Sequence, residues 1–200
     1  MYQHISYFAE EISDLLRLKT SPIAIKLLKV ENEIPSGSIR PKLYFGHHMS
    51  LCQAISLSRK TSKYQITLLK EDMWCCEPVI GLGMAEPPQY FLEGHIRYPD
   101  DVISLEAGAY WSQKEFPKLS TNECIGVVIS PLGVIGYQPD VVIIYANPEQ
   151  LTLLALASAY KSGEDIVSKI CPHASCVYSI VPVIQTKRPR IVLFILHQFS

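Results

Sequence analysis

The sequence predicts an α/β or α+β fold: a mixed sheet with helices packed on it, linked by irregular, proline-rich connections. Three observations predict it. Short apolar, β-branched runs alternate with segments of helical period along the 200 residues. Hydrophobic residues make up 48% and charged residues 18%, against roughly 25% charged in an ordinary domain, so apolar surface is available for a buried core. Fourteen prolines interrupt the chain, too many for a regular doubly wound sheet. No repeat or domain boundary is visible, so residues 1–200 read as one domain.

Each element has a local reason. Ile5, Phe8, Ile12, Leu15 and Leu16 fall on one face of a 3.6-residue period and predict an amphipathic helix over residues 2–18. Pro22 ends it, because the residue before a proline avoids helical backbone. Ile23, Ile25 and Leu27 then alternate along a strand over 23–30. Residues 32–41, rich in Pro, Gly and Ser, form a loop. Ser50 is a good N-cap for a helix running to Lys60. Residues 66–69 form a short strand, and Gly81 and Gly83 break the helix that starts near Glu77. Pro87, Pro88, Pro99 and Pro117 divide the middle of the chain, leaving 100–114 helical. Residues 125–129 and 141–145 are buried strands. Asn147-Pro148-Glu149-Gln150 is the strongest local signal: an N-cap, a proline at the first helical position and a glutamine that closes a capping box. Its helix runs over 149–161 and stops near Gly163. Residues 166–170 read as a short strand or edge segment, 171–179 as a turn or short helix, and 191–196 as a last strand.

A net charge of -1 without basic excess speaks against a nucleic-acid binder and against an anionic membrane partner. No apolar run reaches the roughly 18 residues of a membrane helix. The start of the chain has no apolar core of signal length, which predicts a cytoplasmic, reducing compartment with thiols free or metal-bound. Lys187-Arg188-Pro189-Arg190 reads as a solvated turn.

The chemistry rests on the cysteines. Cys171 and Cys176 bracket His173 within six residues, Cys75 and Cys76 are adjacent, and Cys52 lies near a predicted helix start, where the dipole favours a thiolate. Thiolates are soft ligands for zinc, copper(I) or iron–sulfur clusters. One use of Cys52, Cys75 or Cys76, Cys171 and Cys176 is therefore to hold a metal. A rival use is nucleophilic, with Cys52 or Cys75 attacking and His47, His48 or His173 as base; His48 precedes Cys52 by four and would share its helix face. A third reading is a non-catalytic ligand-binding or interaction module in which the cysteines only pack. There the apolar tail over 191–199 would supply a surface for homo-oligomers. Cys124, beside a buried strand, reads as packed, and Asp72, Glu77 and Asp140 as surface or capping residues. No phosphate-binding loop, complete dinucleotide fingerprint, nucleophile elbow or zinc-protease helix is present.

Ser21-Pro22-Ile23-Ala24-Ile25-Lys26, Cys52-Gln53-Ala54, Cys75 or Cys76 followed by Gly81-Leu82-Gly83, and above all the segment from Pro139-Asp140 to Asn147-Pro148-Glu149-Gln150 resemble the family labelled domain of unknown function 169. Ala159-Tyr160, Gly163 and Cys176 fit the same pattern, so the resemblance runs from about residue 15 to about residue 182. It implies no reaction. It implies recurrent cysteines at Cys52, at one of Cys75 and Cys76, and at Cys176, and an anaerobic setting in which an iron–sulfur cluster or zinc with a redox or small-molecule partner is the expectation. Members continue into a further cysteine and a Gly-Asp-Arg stretch. This chain ends in Phe199-Ser200 instead, which predicts a shortened C-terminus.

Overall fold

The computed structural model describes residues 3–168, 171 and 173–192. Among them the strands β1 (Ile23–Leu28), β2 (Ile66–Leu69), β3 (Gly126–Pro131) and β4 (Val141–Ile143) form one sheet in the order β2-β3-β1-β4. All three pairings are antiparallel, and Ile39 adds an isolated parallel bridge to Ile66 at the outer edge. The α+β alternative therefore describes the fold, and the expected mixed sheet becomes an antiparallel one. The reason is topological. Alternation of strand and helix predicts neighbouring parallel strands, but β3 inserts between β1 and β2 and runs against both.

The helices are α1 (Gln3–Leu16), α2 (Pro41–Tyr44), α3 (Leu51–Thr61), α4 (Cys76–Gly81), α5 (Gln89–Leu92), α6 (Leu105–Tyr110), α7 (Pro148–Ser162) and α8 (Ser175–Thr186). Ile23, Ile25 and Leu27 of β1 enter the main core with Leu51, Ile55, Phe91, Val177 and Ile180. The alternate residue Ala24 meets Ala9 of α1, Leu132 and Ile135 on the opposite face. The sheet is thus covered on both sides, the main core lying on the side of α3 and α8.

Ser50 caps α3 and Asn147 caps α7, each with a reciprocal capping box completed by Gln53 and Gln150. Gly163 ends α7 in left-handed backbone at φ 68°. Residues 100–104 stay non-helical, because Ser104 caps α6 by accepting the Ala107 N–H at 3.3 Å. That helix runs on into a π-helical turn, Trp111–Glu115. Residues 166–168 form no strand, and 169–170 lie outside the described residues. The turn or short helix expected over 171–179 is the twelve-residue α8, which tolerates Pro182 inside it. The strand expected over 191–196 is irregular at 191–192 and otherwise lies outside the described residues, as does most of the apolar tail. No helix among the described residues is long and apolar enough to cross a membrane.

Candidate functional site: a thiol cluster where three helices begin

Three helix starts meet beside the main core, and each carries a cysteine. Cys52 is the second residue of α3, Cys75 caps α4 and Cys76 opens it, and Cys176 is the second residue of α8. The loop before α3 is tied to the loop before α4 by Asp72. Its carbonyl accepts the Met49 N–H at 3.0 Å, and its carboxylate accepts the Leu69 N–H at 3.0 Å and Arg40 Nε at 2.9 Å. Trp74 Nε1 then donates to Gln53 Oε1 at 3.2 Å, next to Cys52. Helix α4 lies so close to α8 that a Cβ at Gly81 would run into Val177 Cγ1.

The Cys52 and Cys176 thiols lie close enough to shift each other's titration, yet their surroundings differ. Cys52 is exposed and Cys176 is 2% exposed. Interaction with the Cys176 thiol lowers the Cys52 pKa below its ordinary value; crowding opposes this, and the backbone N–H groups of Cys176 and Cys52 add to it. Those amides are the free donors of two helix N-termini, so the first turns of α3 and α8 both stabilise one thiolate. Cys176 moves the other way: the same interaction, burial and the neighbouring negative groups raise it well above the ordinary value.

Glu77 organises the other half of the cluster. Its side chain is 12% exposed, and Oε2 accepts from Cys75 Sγ at 2.9 Å and from Cys76 Sγ at 3.6 Å. Oε1 is 2.8 Å from His173 Nε2, and His173 Nδ1 is 2.7 Å from Asp101 Oδ2. Burial would raise the Glu77 pKa, but the hydrogen bonds from His173 and Cys75 outweigh it and hold the carboxyl at about 2. Burial and the Glu77 charge together push Cys75 far up and Cys76 to about 11. Both are therefore thiols, not thiolates, at neutral pH. Trp111 packs its edge against His173 at 5.4 Å and donates from Nε1 to the Tyr178 hydroxyl at 3.1 Å.

The expected residues do not all converge. Cys52, Cys75, Cys76 and Cys176 share the cluster. Cys171 is buried and its side chain pairs with the Tyr178 hydroxyl. Cys124 is buried with Sγ donating to the Leu82 carbonyl at 3.1 Å. His48 does not share a helix face with Cys52, because α3 starts at Leu51, and His47 stacks on exposed Phe45. Asp72 and Glu77 are not surface residues: each is buried or nearly so and accepts several hydrogen bonds. Asp140 stays half-exposed, accepting the Leu27 N–H at 2.8 Å. Among the described residues, no group of three or more His, Cys, Asp or Glu side chains is arranged to hold a metal ion.

Two residues of the site carry no sequence signal of their own. Tyr145 lies just beyond β4, close enough for the charges of Cys52 and Cys176 to act on its hydroxyl. The Arg59 guanidinium stacks on its ring at 3.9 Å. Only their separation by two helical turns, Cys52 to Arg59, could have linked Arg59 to the thiol beforehand.

Comparison with curated proteins found no match, and comparison with solved structures found none either. A family model covers residues 11–195, and the chain belongs to that family, domain of unknown function 169, described as an uncharacterised ArCR.

Proposed function

We propose that the protein is a thiol-dependent enzyme in which Cys52 is the nucleophile and Cys176 its resolving partner. The observation that carries this reading is the neighbouring pair itself, one thiol exposed with a lowered pKa, the other buried with a raised one. That division of labour suits thiol–disulfide exchange. The Cys52 thiolate attacks one sulfur of a disulfide substrate, a mixed disulfide forms, and the substrate's other sulfur leaves as a thiolate and takes a proton from water. Cys176 then attacks the Cys52 sulfur and loses its proton, and the second substrate thiol departs. The substrate has gained two electrons and two protons, and the protein holds a Cys52–Cys176 disulfide that a dithiol partner reduces. Trp74, 61% exposed and bonded to the residue after Cys52, gives the substrate an apolar surface to lie on. Six free cysteines support a reducing, cytoplasmic setting.

The test is site-resolved alkylation with iodoacetamide at pH 7. Cys52 reacts fastest of the six, with a rate that titrates below the ordinary thiol pKa, and mild oxidation yields a peptide joining Cys52 to Cys176. Equal, slow labelling of all six cysteines overturns the reading.

A second reading keeps one supporting observation. Four cysteines at three helix starts are the observation behind an iron–sulfur cluster or zinc bound through Cys52, Cys75 or Cys76, and Cys176, with Cys171, which lies apart from them against Tyr178, as a substitute. Iron, sulfide and zinc analysis of anaerobically purified protein tests it, and background levels of all three exclude it.

A further inference from the structure

We infer that Arg59 makes the Cys52 site selective for anionic substrates, namely disulfides that carry a carboxylate or similar anionic group near the reacting sulfur. The inference rests on the dithiol reading and names its substrate class. Arg59 follows Cys52 by seven residues, two turns of α3, so both lie on one face about 10 Å apart along the axis. Helical side chains lean toward the N-terminus, which brings the guanidinium back toward Cys52. Tyr145 bridges the gap: Arg59 stacks on its ring at 3.9 Å, and its hydroxyl feels the charges of Cys52 and Cys176.

Arg59 combines a place on the Cys52 helix with the lack of a counter-charge. Among the described residues it makes no ion pair, and its Nε is buried without a hydrogen-bond partner. Arg40 binds Glu71 and Asp72, Arg97 faces Asp101 and Arg188 binds Glu164, whereas Arg17 and Arg190, like Arg59, make no ion pair among the described residues; of these three, Arg59 shares the helix of Cys52. A half-buried guanidinium held flat on a tyrosine, with donors unused, is a ready fork for a carboxylate. Stacking fixes its orientation, so little freedom is lost when an anion arrives. The step it serves is unchanged in balance: the Cys52–substrate sulfur bond forms, the substrate sulfur–sulfur bond breaks, and the departing thiolate is protonated by water.

Two disulfide reagents test the inference. Dithiobis(nitrobenzoate) carries two carboxylates, and dithiodipyridine carries none. The readout is the ratio of their rates at Cys52, resolved by mass spectrometry. In the Arg59→Gln variant that ratio falls about tenfold, the effect of losing one charge at this range in a partly buried site. Arg59→Lys, which keeps the charge, retains most of the ratio, and added salt lowers the ratio in the parent but not in Arg59→Gln. A fast parent reaction whose ratio is unchanged in Arg59→Gln overturns this inference alone. Slow reaction of parent Cys52 with both reagents overturns the dithiol reading and this inference with it.

Discussion

At the scale of single residues, Glu77 carries the clearest energetic consequence. Its carboxyl is held at about 2 in the folded protein against an ordinary 4.5. A depressed carboxylate adds stability above its unfolded pKa and loses it as pH falls through the folded one. The contribution, about 3 kcal/mol at about 1.4 kcal/mol per pKa unit, is therefore complete above pH 4.5 and fades toward pH 2. Glu77→Gln should unfold at lower urea at neutral pH and show a flatter loss of stability between pH 4.5 and 2. Curves for parent and variant that run parallel through that window would contradict the assignment. Glu77 was not legible beforehand. A carboxylate next to two cysteines reads as solvated, and only the fold brings His173 from 96 positions away to meet it.

Among the elements, α7 shows how far local chemistry reaches. Asn147 and Gln150 exchange hydrogen bonds at 2.9 and 2.8 Å, as their spacing predicts. Gln150 also does something its spacing does not foretell: Nε2 donates to the carbonyls of Leu16 at 2.7 Å and Arg17 at 3.0 Å, fastening the end of α1. Asn147→Ala should therefore cost about 1 kcal/mol, a typical cap. Gln150→Ala should cost about 2 kcal/mol, because two further carbonyls lose a donor. Equal losses in urea unfolding would mean that the link to α1 contributes nothing. The caps, the four strands and α3 were readable because each is written in a few adjacent residues. Helix α8 was readable only as one of two alternatives, a turn or a short helix over 171–179, and its full length to Thr186 was not. Packing of Val177, Ile180 and Val181 into the main core favours the helix.

Over the whole molecule, the antiparallel sheet decides which distant segments meet. Sequence alone sets His48 near Cys52 and His173 between Cys171 and Cys176, since each group is close along the chain. The structure instead brings Cys52 to Cys176 and His173 to Glu77, and each of these partnerships joins segments about 100 or more positions apart along the chain. Long-range pairings of this kind leave no periodic trace, which is why four of the expected cysteines could be named but their partners could not. The meeting of three helix starts also reverses the usual relation between exposure and reactivity. Most cysteines are shielded by folding and released by unfolding, as Cys124 and Cys171 should be. Cys52 has its thiolate stabilised by amides that exist only when α3 and α8 are both formed and docked. Denaturation should therefore bare this sulfur and slow it at pH 7, while the buried thiols quicken. A stopped-flow trace in rising urea would then read assembly of the site as a crossing of two rates, one thiol keeping time for the intact fold and the others for its loss.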